Sequence, residues 1–265
     1  MVTHLPRTLW SSLRHYPLLH RSSDVGPVRP ELFDEILDDY DADAAFLHVG
    51  LSDVKAAFET NPYEFVVERL RERFPSLLVP GFTKSFRETG RFDVEADPPE
   101  LNAFSRLFYE NDAEYRTPDP LHSILCAGEY RFDGCDFRNT FGPDGCYAQL
   151  EADDVLCLNV GTHWLVSTQL HYLEQALDVP YVETAEFEGE LVREDGTTER
   201  VTQTNYDKNL YLYFWNRTKL RDQMVRAGAL DWYRLNGLDV MAFTMDDLRS
   251  FVEPNVVNDP YYLVA

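Results

Sequence analysis

The stretch DADAAFLHVGLSDVKAAFETNPYEFVVERLRERF, residues 41–74, passes from an apolar run through a glycine into a segment of helical composition. DADAAFLHVG reads as a short buried strand ending in the glycine Gly50, and Ser52 and Asp53 stand where helix caps are expected. The unit reads as strand, turn, helix. The same order recurs downstream. SLLVPGF (76–82) is an apolar run followed by TKSFRETGRFDV, and PPELNAFSRLFYEN (98–111) has apolar residues at helical spacing with Pro98 and Pro99 near its start. SILCAG (123–128) follows RTPDPLHS (116–123), and VLCLNV (155–160) reaches Gly161 ahead of STQLHYLEQAL (167–177). Strands alternating with helices predict an α/β sheet with helices on both faces.

The pattern changes after Pro180. YVETAEFEGELVREDGTTERVTQTNY (181–206) holds two β-like runs around Asp195-Gly196, a hairpin turn signal, so an antiparallel extension is expected around 181–208. Beyond Asn209, NRTKLRDQMVRAGAL suits a helix and LDVMAFTM a short strand. No internal repeat, low-complexity linker or composition shift divides the chain, and residues 1–265 are read as a single elaborated domain.

The formal charge is −22, with lysine only at 55, 84, 208 and 219 and acids crowded into segments such as DEILDDYDAD. An acidic, lysine-poor surface predicts halophilic adaptation rather than steering of a cationic partner, because at molar salt the Debye length falls to ~3 Å. Nucleic acid is not expected as a partner, since phosphate binding needs a basic face. No stretch approaches the ~20 apolar residues of a membrane-spanning helix. The first thirty residues carry Arg7, Arg14 and Arg21 without an apolar signal core, so a cytoplasmic location is expected. Cys126, Cys135, Cys146 and Cys157 are spaced nine, eleven and eleven residues apart, too widely for paired zinc ligands, and are read as buried thiols. Cys126, near His122, is a minor nucleophile candidate.

His171 and Glu174, three apart, share a helical face. Glu174 can then orient His171, or both can face one substrate. The same spacing also serves an ordinary surface or packing pair. In open α/β sheets ligands gather beyond the carboxyl ends of strands. Gly50, Leu51 and Ser52 follow the first strand, where backbone N–H groups can meet a thioester carbonyl or a phosphate. Thr83 and Ser85 follow the second, and Asp119, His122 and Ser123 precede the third. Ser52, Thr83 and Ser123 equally suit capping of helices and turns. Arg116 suits either a phosphate or a structural ion pair. His48 is read as a satisfied strand residue, and His163 carries no clear chemical signal.

LHVGLSD, LLVPGFTKSFRETGRFDV, RTPDPLHS, FGPDG and STQLHYLEQALDVPY occur in an order and spacing that resembles the aminoglycoside 3-N-acetyltransferase family, especially its relatives associated with surface-polysaccharide biosynthesis. The resemblance covers residues 40 to 185 well and the rest weakly. It implies a three-layer α/β/α sandwich with a mixed central sheet, acetyl-CoA as co-substrate and no metal. It also implies His171 as general base, since an amine attacking a thioester must lose a proton. Glu174 would orient that base or hold the acceptor ammonium. Gly50, Leu51, Ser52, Thr83, Ser85, Arg116, His122 and Ser123 become cofactor-binding candidates, and Asp119 and Asp207 substrate-binding candidates.

Two departures bear on the acceptor. Antibiotic-modifying members resemble one another in a histidine where this chain has Asp119, and their glycine-rich turn after the first strand is replaced here by SDVKAAFET. The expected acceptor is therefore an amino sugar, nucleotide- or lipid-linked, in glycan synthesis. The alternatives are an aminoglycoside acceptor, or a non-catalytic relative that binds CoA or sugar. A homodimer is left open, and the aromatic stretch NYDKNLYLYFWN is read as lining the acceptor cleft, covering the core or forming a subunit interface, with core first.

Overall fold

All six residues of Ala44–Val49 are buried, so their strand must be covered on both faces, and the chain supplies a helical layer for each. The computed structural model describes residues 5–14, 24–209 and 212–265. In chain order the elements run α1 (Leu5–Arg14), α2 (Pro30–Asp38), β1 (Ala44–Val49), α3 (Leu51–Phe58), α4 (Pro62–Arg73), β2 (Ser76–Pro80), α5 (Phe86–Thr89) and β3 (Arg91–Asp93). They continue with α6 (Ala103–Asn111), β4 (Tyr115–Arg116), β5 (Ile124–Gly128), α7 (Cys146–Ala152), β6 (Leu156–Val160), α8 (Gln169–Ala176), β7 (Val182–Val192) and β8 (Thr198–Lys208). The last are α9 (Arg217–Ala227), β9 (Asp231–Leu235), β10 (Leu238–Thr244) and α10 (Met245–Asn258), then a 3-10 turn at Tyr262–Val264. The reading of the first thirty residues, and that of the aromatic stretch at Leu210 and Tyr211, fall partly outside the described residues.

Seven strands form one sheet in the order β4-β5-β2-β1-β6-β10-β9. β1 pairs in parallel with β2 and β6, while β5 is antiparallel to β2 and β10 to β6, so the central sheet is mixed. Alternation along the strands divides the core. Phe46, Leu78, Cys157 and Met241 face a layer holding Tyr147, Leu173, Met224 and Leu248 from α7 to α10. Leu47, Val79, Leu158 and Val240 face Phe33, Val66, Leu70 and Phe108 from α2, α4 and α6. The result is the expected three-layer α/β/α sandwich.

The helix expected after Gly50 is two helices. Gly50 itself is the N-cap of α3, so Ser52 and Asp53 lie within its first turn rather than capping it. α3 ends at Phe58, where Glu59 turns left-handed at φ +49°, and Pro62, whose missing N–H suits the first helical position, restarts the chain as α4. Asn61 caps the new start, its side chain accepting from Tyr63 N at 3.1 Å and Glu64 N at 3.4 Å.

Two features set the site. Because β5 runs against β2, with Ile124 beside Pro80, the segment before β5 arrives at the same edge as the segments after β1, β2 and β6. At that edge Gly50 and Gly161 touch: a Cβ on Gly50 would stand 2.1 Å from the Gly161 carbonyl oxygen, and one on Gly161, where φ is +68°, 2.6 Å from that of Gly50. Only glycine fits both turns. The hairpin of β7 and β8 pairs from Val182–Lys208 to Val192–Thr198 and, with β3, makes a separate three-stranded sheet. Its open end delivers Asp207 and Lys208 beside α8.

Candidate active site

His171 occupies the first turn of α8, its ring 4.6 Å from that of Trp215 and 5.4 Å from that of Phe141 between centroids. Its Nδ1 lies 3.6 Å from Glu174 Oε2, at ion-pair rather than hydrogen-bond distance. Glu174 is enclosed, its side chain 1% exposed. Lys208 Nζ donates to its two carboxylate oxygens at 2.6 and 2.8 Å, and Trp215 Nε1 donates at 2.6 Å. The carboxylate has no open side for an acceptor ammonium, so the geometry favours orientation of His171 over acceptor binding.

These contacts set charge states. Burial lowers the His171 pKa; Glu174 opposes the shift, and the Lys208 charge reinforces it. Burial would raise the Glu174 pKa, but Lys208 and then His171 overcome it and hold the carboxyl at about 2. Burial lowers Lys208 to about 8 against the pull of Glu174. At neutral pH a neutral imidazole therefore faces a carboxylate whose charge is already matched.

Two cavities meet at His171, sharing Phe82, Leu101, His171 and Trp215 in their walls. The larger, about 550 Å³, is lined by Lys84, Arg87, His122, Asp207, Lys208 and Arg217 among others. The smaller, about 250 Å³, reaches the ends of β1 and β6 and is lined by His48, Asn102, Thr162, Ser167 and Thr168, without lysine, arginine or carboxylate. His48 is not the satisfied strand residue expected. Its buried Nε2 has no hydrogen-bond partner, and burial lowers its pKa to about 3.

The expected cofactor residues divide. Gly50 N donates to the Val160 carbonyl at 2.8 Å, so that N–H already has a partner, whereas Leu51 and Ser52 lie at the open start of α3. Ser85 donates its backbone N–H to Glu100 Oε2 at 2.9 Å. Thr83, Arg116 and Ser123 form one buried network. Arg116 donates to Ser123 Oγ at 2.9 Å, Thr83 Oγ1 at 2.7 Å and the Gly81 carbonyl at 2.8 Å, and also to the carbonyls of Val94 and Asp97. This guanidinium pins the segments after β2 and before β5 together. Arg116→Met is expected to lower stability by about 1–3 kcal/mol through stranded buried acceptors, seen as a lower urea midpoint, with the Kd of acetyl-CoA unchanged. A selective loss of CoA affinity would restore the phosphate role.

Asp119 is wholly buried and accepts from the backbone N–H groups of Leu121 and His122, both at 2.8 Å, which shapes the turn carrying His122. Burial raises its pKa to about 6. It does not line the two cavities at His171. His122 does line the larger, its ring 4.8 Å from Phe82 and 4.7 Å from Phe141, and burial above all holds its pKa well below the usual histidine value. Asp207 faces the same cavity and pairs with Arg87 at 3.0 Å. His163 lies 3.5 Å from Asp53 and 3.9 Å from Asp239. Cys126 is buried with its thiol pushed up to about 11, which disfavours a nucleophile. Among the described residues, no cluster is placed to hold a metal ion and no helix is long and apolar enough to cross a membrane.

Lys208 and Trp215 fall in the stretch offered as a cleft lining, but their contacts with Glu174, and Arg217 altogether, were not read from the sequence. The one available signal was rarity: Lys208 is one of four lysines in a chain of net charge −22. The stretch read first as core places Phe214 and Trp215 in the cavity wall, while Tyr213 stacks on Tyr181 at 5.2 Å.

A family model described as aminoglycoside 3-N-acetyltransferase matches residues 76–254. No curated protein sequence matches significantly. Among solved structures, the fold is similar to AAC-IIIb in binary complex with CoASH, with a TM-score of 0.70 and 14% identity over 86% of this chain and 96% of that one. It is similar to the YokD protein from Bacillus subtilis, with a TM-score of 0.69 and 12% identity over 88% and 94%. It is also similar to AAC-VIa bound to sisomicin, with a TM-score of 0.66 and 17% identity over 86% and 97%.

Proposed function

The chain belongs to the aminoglycoside 3-N-acetyltransferase family, and on that premise we propose that it moves the acetyl group of acetyl-CoA to an amino group of an amino sugar, with His171 as general base. The observation that carries this reading is the position of His171 where two cavities meet, backed by a Glu174 held between Lys208 and Trp215. A base so placed reaches a nucleophile entering from one side and a thioester entering from the other. The smaller cavity suits the uncharged pantetheine arm of CoA. It offers Thr162 and Thr168 as polar lining and the orphaned Nε2 of His48 as a partner for an amide.

The amine nitrogen attacks the thioester carbonyl while His171 takes its proton. Collapse of the tetrahedral intermediate breaks the C–S bond, and the thiolate of CoA leaves with a proton returned by the imidazolium or solvent. A lowered His171 pKa keeps the base free at neutral pH. The ionised Glu174 then stabilises the imidazolium that forms.

The comparisons favour aminoglycosides as the acceptor class and lend no support to the glycan-precursor acceptor suggested by Asp119; AAC-VIa itself is bound to sisomicin. Free-thiol release from acetyl-CoA, measured across a panel of amines, tests the catalytic reading. Release is expected with aminoglycosides or simpler amino sugars and not with buffer alone. Calorimetric binding of acetyl-CoA without release by an amine would instead identify a binding protein.

A further inference from the structure

The larger cavity is cationic in a chain that is otherwise strongly anionic. With the Lys208–Glu174 pair satisfied internally, its wall presents Lys84, Arg87 and Arg217 against Glu88 and Asp207. Arg87 and Asp207 are engaged with each other at 3.0 Å. Lys84 and Arg217 have no carboxylate within ion-pair distance among the described residues. Arg217 lies over the rings of Phe214 at 5.0 Å and Trp164 at 5.1 Å, a setting that shields a charge without neutralising it.

Arg217 also differs from the other buried cations. Burial lowers Arg116 and Lys208, but nearby acids pull each back up; burial lowers Arg217 to about 10 with no acid opposing it. An uncompensated charge in a cavity wall is costly unless a ligand matches it. Arg217 and His171 line the same cavity. The phosphates of CoA lie a full pantetheine arm from the sulfur, whereas an anion near His171 is readily carried by the acceptor.

We propose that Arg217, supported by Lys84, forms an anion subsite in the acceptor cavity, and that the acceptor is an amino sugar bearing a phosphate or carboxylate as well as the reacting amine. This rests on the acetyl-transfer reading and takes its acceptor away from the aminoglycosides that the family and the sisomicin-bound relative favour. A polycation meets Lys84 and Arg217 there with Glu88 as the one carboxylate of that wall outside an ion pair among the described residues, while a zwitterionic sugar places its ammonium toward His171 and its anion on the guanidinium.

The test compares glucosamine, its 1- and 6-phosphates, a nucleoside-diphosphate-linked amino sugar and sisomicin, in thiol release and in calorimetric binding to the enzyme–CoA complex. At least one phosphorylated sugar is expected to exceed glucosamine in kcat/KM and affinity by about ten- to hundredfold, the range of a charge-assisted contact. Arg217→Met is expected to erase that ratio with the KM of acetyl-CoA unchanged, and Arg217→Lys to retain part of it. Lys84→Ala changes an exposed side chain and should reduce the ratio in the same direction should Arg217→Met fold poorly. Equal handling of phosphorylated and neutral sugars overturns the subsite, as does an Arg217→Met effect confined to acetyl-CoA. Thiol release with sisomicin alone overturns it while leaving the acetyltransferase intact. Selective binding of a phosphorylated sugar without release supports the subsite and defeats the catalytic reading.

Discussion

His171→Ala is expected to lower kcat for thiol release by about 10²–10⁴-fold while leaving the Kd of acetyl-CoA nearly unchanged. The fold should survive, because Glu174 keeps its bonds to Lys208 and Trp215 when the imidazole is removed. The pH profile supplies a second readout. With the base present, kcat/KM falls as pH drops through the lowered pKa of His171. With alanine there, that acid limb should disappear from the residual rate. An unchanged kcat removes His171 from the mechanism.

Lys208→Met carries the second large effect. Glu174 would remain a buried carboxylate without its cation, a loss on the order of 3–5 kcal/mol, measurable as a lower urea midpoint. Activity should respond in a direction that a purely structural role does not predict. The Lys208 charge disfavours the imidazolium, so its removal raises the His171 pKa while Glu174 stays ionised. The base is then protonated up to a higher pH, and the acid limb of kcat/KM moves upward. Lys208→Arg, which restores a cation, should recover part of both losses. A stable Lys208→Met enzyme with an unmoved acid limb would show that this lysine neither holds nor tunes the pair.

The central strands were legible because β1, β2, β5 and β6 are continuous apolar runs of strand length, buried on both sides. Less was visible where pattern and environment part. β9 is a half-exposed edge with Trp232, Tyr233 and Arg234 in succession, giving no clean alternation. α10 contains Pro254, which reads as a break although the helix continues to Asn258. The helix after Gly50 was overextended because apolar spacing resumes beyond Pro62 and hides the interruption at Asn61. At the site, His171 and Glu174 were legible because helical spacing is local. Lys208 and Trp215 lie 34 and 41 residues beyond Glu174, and only the docked hairpin brings them to it. Thr83, Arg116 and Ser123 showed the converse limit: their residue types announce polar contacts, but whether the partner is cofactor or protein depends on burial.

The hairpin also makes the charge at the base a matter of counting. Neighbouring residues on a strand point to opposite sides, and at the end of β8 Lys208 meets Glu174 while Asp207 meets Arg87 at the wall of the larger cavity. The pairing of Val182 with Lys208 is fixed at the other end by Val192 with Thr198 and the turn between them. A slip of one residue would exchange the two faces and take Lys208 away from Glu174. The register held by the turn at Asp195-Gly196, at the far end of two eleven-residue strands, thus decides which side chain of β8 meets Glu174, although that turn lines neither cavity at His171.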